Sequence, residues 1–211
     1  MKARGCVDGR PQREYTDKEE ASSPTMSLKV MMMSCPIDAK EGSYVHVTDI
    51  PGALLHANMK DTVHMVLKGT ITEIIVKLEP TIYRKYVWHN KNESPIYGTL
   101  QAALLLLKLL SSALEKWGFT INPYHECVAN KILGGKKCTI IWHVDVLKVS
   151  HVCKDMVENI IKALNEKFGK ESPLVTTWGK VLDYLGMTLV YSTKRKVRLS
   201  KFDYVKKIDD T

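Results

Sequence analysis

Thr139-Ile-Ile-Trp-His-Val-Asp-Val-Leu-Lys-Val-Ser-His151 brings two runs of β-branched and aromatic residues together at one carboxylate, Asp145. That composition predicts a hairpin with an acid on its turn. Immediately upstream, Ile132-Leu-Gly-Gly-Lys-Lys-Cys-Thr-Ile-Ile141 places a Gly-Gly turn between two strand-like runs and predicts a second hairpin leading into the first. Farther out, Val45-His-Val-Thr-Asp-Ile50 alternates like a strand and is broken by Pro51-Gly52, so Asp49 falls at a strand end beside a turn. A sheet fixes the backbone there while the turn exposes the side chain, which suits a functional carboxylate.

The remaining segments predict helices and one more hairpin. Ala103 to Trp117 carries leucines on most faces without an internal Gly or Pro, as a buried helix does, and Gly118 closes it. Met156, Val157, Ile160, Ile161, Leu164 and Phe168 recur at helical spacing, opposite Lys154, Glu158 and Lys162, in a helix ending at Gly169. Leu185 to Tyr191 and Val197 to Leu199 pair around Ser192-Thr-Lys-Arg195, while Arg10 to Ser27 is polar and loop-like. Strand, helix, hairpin, helix, hairpin is an α+β order. No internal repeat or low-complexity tract is present.

At 211 residues, 45% hydrophobic and 26% charged, the chain is long enough for a real core and is expected to fold as one domain or two small lobes. Its formal net charge of +8 and pI near 9.1 favour polyanionic partners, though charge alone identifies none. Cys6, Cys35, Cys127, Cys138 and Cys153 are scattered, with no Cys-x-x-Cys or metal-ligand spacing, and read as reduced intracellular thiols. The charged Met1-Lys-Ala-Arg-Gly5 start lacks the apolar core of a signal peptide. Ala102 to Leu110 is too short for a membrane span and is interrupted by Lys108. An intracellular location, cytoplasmic or also nuclear, is therefore expected, with no membrane partner.

Five segments together resemble the reverse transcriptase of copia-type LTR retrotransposons, an RNA-directed DNA polymerase. Lys2-Ala-Arg-Gly-Cys-Val-Asp-Gly-Arg-Pro-Gln-Arg13 is similar to the family's opening fingers segment, and Thr48-Asp-Ile-Pro-Gly-Ala-Leu-Leu-His-Ala57 to its first catalytic-aspartate motif. Tyr97-Gly-Thr-Leu-Gln101 resembles Tyr-Gly-Leu-Lys-Gln, Trp142 to His151 the catalytic hairpin, and Asp183-Tyr-Leu-Gly-Met187 the Leu-Gly motif after the palm helix. They stand in the family's order and at roughly its spacing. The resemblance implies fingers and palm, with an antiparallel palm sheet backed by helices. Residues 1–44 would be a partial fingers segment and 45–211 a palm-like region with an inserted fingers portion near 60–98. Thumb and RNase H lie outside this match, so a fragment is expected.

The same resemblance implies site roles. Asp49 and Asp145 correspond to the catalytic, metal-holding acids for Mg²⁺, with Mn²⁺ as the alternative, acting on an RNA template, a DNA primer and deoxynucleoside triphosphates. Lys2, Arg4, Leu54 and Gln101 fall at nucleotide-binding positions, and Lys148, Lys194, Arg195 and Lys196 could follow a nucleic-acid backbone. Taken singly, each has a plainer explanation: a turn or capping acid, a helix-start glutamine, or solvated surface charge. His143 and His151 flank the hairpin without a partner at metal-ligand spacing.

Three departures bear on activity. Val146 stands where the family has a second hairpin aspartate, Leu54 where it has an aromatic that closes on the sugar 2′ position, and the stretch from Tyr86 to Tyr97 is shortened. The expected function is accordingly that of a degenerate reverse transcriptase fragment, weak or inactive. A non-catalytic nucleic-acid-binding remnant and a poorly folding pseudogene product stay open as alternatives.

Overall fold

The structure, a computed structural model, describes residues 8–14, 16–17, 22–58, 64–66, 70–78, 87–89 and 98–209. The chain divides into two compact units, Met1–Ser22 with Leu54–Leu105, and Ser23–Ala53 with Leu106–Thr211. Residues 23–44 fall in the second of these units.

In the first unit, a 3₁₀ turn at Arg10–Glu14 is followed by a second at Ala53–His56 that begins at the boundary. Strands β2 (His64–Val66) and β3 (Val87–His89) pair antiparallel, and helix α2 (Thr70–Leu78) lies between them in sequence. Helix α3 (Ala102–Lys116) starts in this unit and continues into the other.

The second unit opens with helix α1 (Leu28–Glu41) and strand β1 (Tyr44–Asp49). Ser27 caps α1 by accepting the Val30 N–H at 3.4 Å. Gly42, at φ 69°, ends it as Ser43 N–H donates to the Asp38 carbonyl at 2.9 Å. These caps hold a helix that contains Pro36, whose missing N–H removes one internal hydrogen bond. After α3 come β4 (Thr120–Asn122), β5 (His125–Leu133), β6 (Lys136–His143) and β7 (Val146–His151). Helix α4 (Lys154–Phe168), β8 (Val175–Trp178), β9 (Val181–Tyr184), β10 (Met187–Val190), β11 (Arg198–Ser200) and α5 (Phe202–Asp209) complete it.

Six strands form one antiparallel sheet in the order β4-β5-β6-β7-β1-β8, and β9, β10 and β11 form a separate three-stranded meander. The α+β class and the antiparallel sheet backed by helices are as the sequence predicts. Both foreseen hairpins around Gly134-Gly135 and Val144-Asp145 form, as does the β10–β11 pairing. Val45 through Thr48 on β1, and Leu147 through His151 on β7, are buried consecutively. Side chains alternate across a sheet, so consecutive burial means that both faces of the central strands are covered. Helix α4 packs on β1 and β7 through the stripe that buries Val157, Ile160, Leu164 and Phe168.

Candidate active-site hairpin

Strands β6 and β7 are joined by two residues, Val144 and Asp145, with His143 paired to Val146 across the turn. Val144 sits at φ 56° while Asp145 keeps a negative φ, the type II′ arrangement in which glycine is usual at the first position. A β-branched residue there is an outlier, because its Cβ crowds the following carbonyl. Strain of this kind persists where surrounding structure over-determines the backbone. Here β7 is fully buried from Leu147 onward and is paired on both sides, to β6 and to β1.

The register brings the two predicted acids together. Asp49, the last residue of β1, is paired directly with Val146, and Ile50 N–H donates to the Asp145 carbonyl at 3.0 Å. Two segments nearly a hundred residues apart in sequence thus meet at one corner of the sheet, with both aspartates half-buried. Directly opposed residues of an antiparallel pair point to the same face, so Asp49 stands beside the isopropyl group of Val146, where a second hairpin carboxylate would have added oxygens. Among the described residues, no group of three or more His, Cys, Asp or Glu side chains is arranged to hold a metal ion.

Lys148 requires a correction. Sequence reading places it on a nucleic-acid backbone, yet it is 1% exposed, and its ammonium forms an ion pair with the buried Asp38 of α1. It shares its sheet face with Val47, its β1 partner, and cannot reach solvent. A buried ammonium needs an anion beside it, and Asp38 supplies one. Nothing local in sequence signals this, since the partners lie 110 residues apart.

The histidines beside the hairpin serve the backbone or lie in the sheet. His151 is buried; its Nδ1 accepts from Cys153 N–H at 3.1 Å, so Nε2–H is the one that donates to the Leu133 carbonyl at 3.2 Å. His143 is half-buried. The four described cysteines are free thiols, and burial raises Cys127 to about 11 and Cys138 to about 12, far from thiolate chemistry.

In the first unit, two of the resembling motifs meet each other. Leu100 N–H donates to Gln12 Oε1 at 3.0 Å, and a Cβ placed on buried Gly9 would lie 2.2 Å from the Gly98 carbonyl oxygen. Only glycine permits that approach. Gly9 to Gln12 and Gly98 to Leu100 are therefore one local assembly, next to which Gln101, half-buried, stands at the entry to α3 with its carbonyl accepting Leu105 N–H at 2.9 Å. Leu54 is half-buried in the Ala53–His56 turn. Lys2, Arg4 and most of the shortened stretch between Tyr86 and Tyr97 lie outside the described residues. Lys194, Arg195 and Lys196 are exposed on the turn between β10 and β11.

An acid-bearing hairpin set beside a strand-end aspartate, on an antiparallel sheet backed by helices, is consistent with an α+β polymerase-like fold. The family comparison agrees: the family model described as reverse transcriptase (RNA-dependent DNA polymerase) matches residues 1–210, and the chain belongs to this family. No curated protein matches it. No helix among the described residues is long and apolar enough to cross a membrane.

The acid pair can be tested against the metal that such polymerases use. Mg²⁺ is commonly held by one or two carboxylates plus water and substrate phosphates rather than by an all-protein cage. Asp49 and Asp145 are two carboxylates brought near each other by the strand register, the number such an ion commonly takes, and Val146 contributes no oxygen beside them.

Proposed function

We propose that this chain derives from a copia-type retrotransposon reverse transcriptase and retains a weakened catalytic corner, with Asp49 and Asp145 as its metal-holding acids. The observation that carries this reading is the Asp49–Val146 register with the Ile50-to-Asp145 backbone bond, which sets both acids at one place. Mg²⁺ held there would neutralise charge on the phosphate oxygens of an incoming deoxynucleotide. Asp49 and Asp145 present the oxygens, the strand pairing limits their movement, and Val146 leaves the pair one carboxylate short. Preorganised acids lose little on reorganising, but a missing ligand lowers both affinity and charge compensation. The substrates under this reading are an RNA template, a DNA primer and deoxynucleoside triphosphates.

Primer extension by the purified chain tests it. Low Mg²⁺-dependent incorporation is expected, abolished by Asp145→Ala and raised by Val146→Asp. If the unmodified chain and Val146→Asp both extend no better than Asp145→Ala, the catalytic reading fails. A second reading, a non-catalytic nucleic-acid binder, draws on Val146 and the net charge of +8. It predicts sequence-independent association that fades as salt rises, measurable by filter binding across a salt series.

A further inference from the structure

At the end of β1 remote from the acid-bearing turn, a cavity of about 400 Å³ opens between Tyr44, the end of β8 and the turn joining β10 to β11. At ~3.4 Å per residue, Tyr44 lies about 17 Å along the strand from Asp49. The wall is basic and aromatic. Lys180, Lys194, Arg195 and Lys196 supply four cations, and the rings of Tyr44 and Trp178 line the opening, 49% and 65% exposed.

Backbone geometry gathers these cations. Tyr191 N–H donates to the Lys180 carbonyl at 2.7 Å, which ties the residue after β10 to the turn before β9. Lys196 N–H donates to the Thr193 carbonyl at 3.1 Å, closing a turn in which Arg195 adopts φ 59°. Three successive basic side chains are compressed there rather than spread along a strand. Mutual repulsion opposes that arrangement, and among the described residues none of the four cations has a side-chain ion pair or hydrogen bond. The neighbouring acids are already engaged, Asp38 by Lys148 and Glu158 by Lys154 at 2.9 Å. Trp178 stacks against the ring of buried His46, with centroids 6.0 Å apart and planes 30° from parallel, while most of the indole stays open.

We propose that this cavity binds a nucleotide unit of single-stranded nucleic acid, its phosphate on the Lys180 and Lys194–Lys196 cations and its base stacked on Trp178. Cations alone would accept any anion; an exposed ring held beside them selects an anion that also carries a flat aromatic face. Single strands offer that pair of features at every residue, and sequence-tolerant binding to them combines a basic groove with base–aromatic stacking. The site is separate from the Asp49–Asp145 corner, and its occupancy does not depend on whether that corner is catalytic.

Fluorescence anisotropy of the full chain with a labelled single-stranded DNA oligonucleotide, at low salt and across a salt series, tests the proposal. The variant Lys194→Ala, Arg195→Gly, Lys196→Ala is expected to bind at least about 10-fold more weakly, with the slope of log affinity against log salt flattened by roughly 0.7 for each lost phosphate contact. Trp178→Ala is expected to weaken binding about 5- to 150-fold, and Trp178→Phe to recover much of it. Competition by a deoxynucleoside monophosphate distinguishes the source. Displacement supports a pocket that takes a free nucleotide, while displacement by unlabelled strand alone supports one that needs the strand. Thermal melts check that each variant is folded. Wild-type affinity for the strand in either the folded triple variant or folded Trp178→Ala overturns the proposal, the latter by showing that the cations act without the ring.

Discussion

Strand β6 is turned at both ends, and the two turns meet similar backbone demands with opposite chemistry. At Gly134-Gly135, both residues have positive φ, 56° and 73°, both are exposed, and glycine satisfies the geometry at no steric cost. At Val144-Asp145, a valine occupies φ 56° beside an aspartate, both half-buried. The flanking strands differ as well: near the first turn Ile132 is 66% exposed, whereas β7 behind the second is buried and anchored to α1 through Lys148 and Asp38. The first turn is a local solution that any hairpin could use. The second is held by tertiary structure, and it keeps a carboxylate at the sheet corner despite strain of about 1–3 kcal/mol.

The largest effect expected from this contrast is at the anchor. Lys148→Met leaves Asp38 buried without its cation and should cost about 3–5 kcal/mol, read as a lowered midpoint in urea unfolding, with the added change Asp38→Asn recovering part of the loss. A cost below about 1 kcal/mol would mean that β7 is not anchored through this pair. Next in size, Gly135→Val puts a β-branched residue at positive φ without tertiary support and should destabilise by about 1–3 kcal/mol in the same assay. Tolerance of that change would erase the distinction between the turns. Val144→Gly should raise stability by roughly 0–2.5 kcal/mol, because relief of about 1–3 kcal/mol of strain is only partly offset by the roughly 0.5–1 kcal/mol that glycine loses in chain entropy. A large loss would show that the Val144 side chain, rather than the strand pairing around it, holds the corner.

The smallest effect expected is a pH dependence at the other end of β1. Burial lowers the pKa of His46; Glu158 opposes that shift and Lys154 adds to it. The unfolded state then binds the proton more readily than the folded one, so stability is fully present above the ordinary histidine pKa near 6.5 and falls as pH drops below it. Urea midpoints measured from pH 8 to pH 5 should show this decline, and His46→Phe should reduce it. An unchanged profile in the variant would assign the decline to other groups.

Much of the fold was legible because it rests on local rules. The leucine-rich α3, the apolar stripe of α4 and the glycine turn before β6 announce themselves through periodicity and backbone freedom, and each forms within a residue or two of its expected bounds. Helix α1 was missed. Its run of Met31, Met32 and Met33 has no clean apolar face, since Met32 and Met33 are exposed, and Pro36 argues against a helix. The signals that could have found it were Ser27 and Gly42 at its two caps. Strand β8, short and largely exposed, likewise has no period of its own; pairing with β1 makes it a strand.

The sequence by itself determined the family, the α+β class and the presence of Asp49 and Asp145 at turns, because motif identity and local propensity are properties of neighbouring residues. Tertiary structure alone decided that Asp49 stands opposite Val146, that Lys148 is an internal ion-pair partner instead of a surface cation, and that Trp178 and four basic residues share one cavity. The physical reason is the same in each case. Strand register, burial and charge pairing depend on which distant segment supplies the other half of the contact, and periodicity along one segment carries no record of its partner.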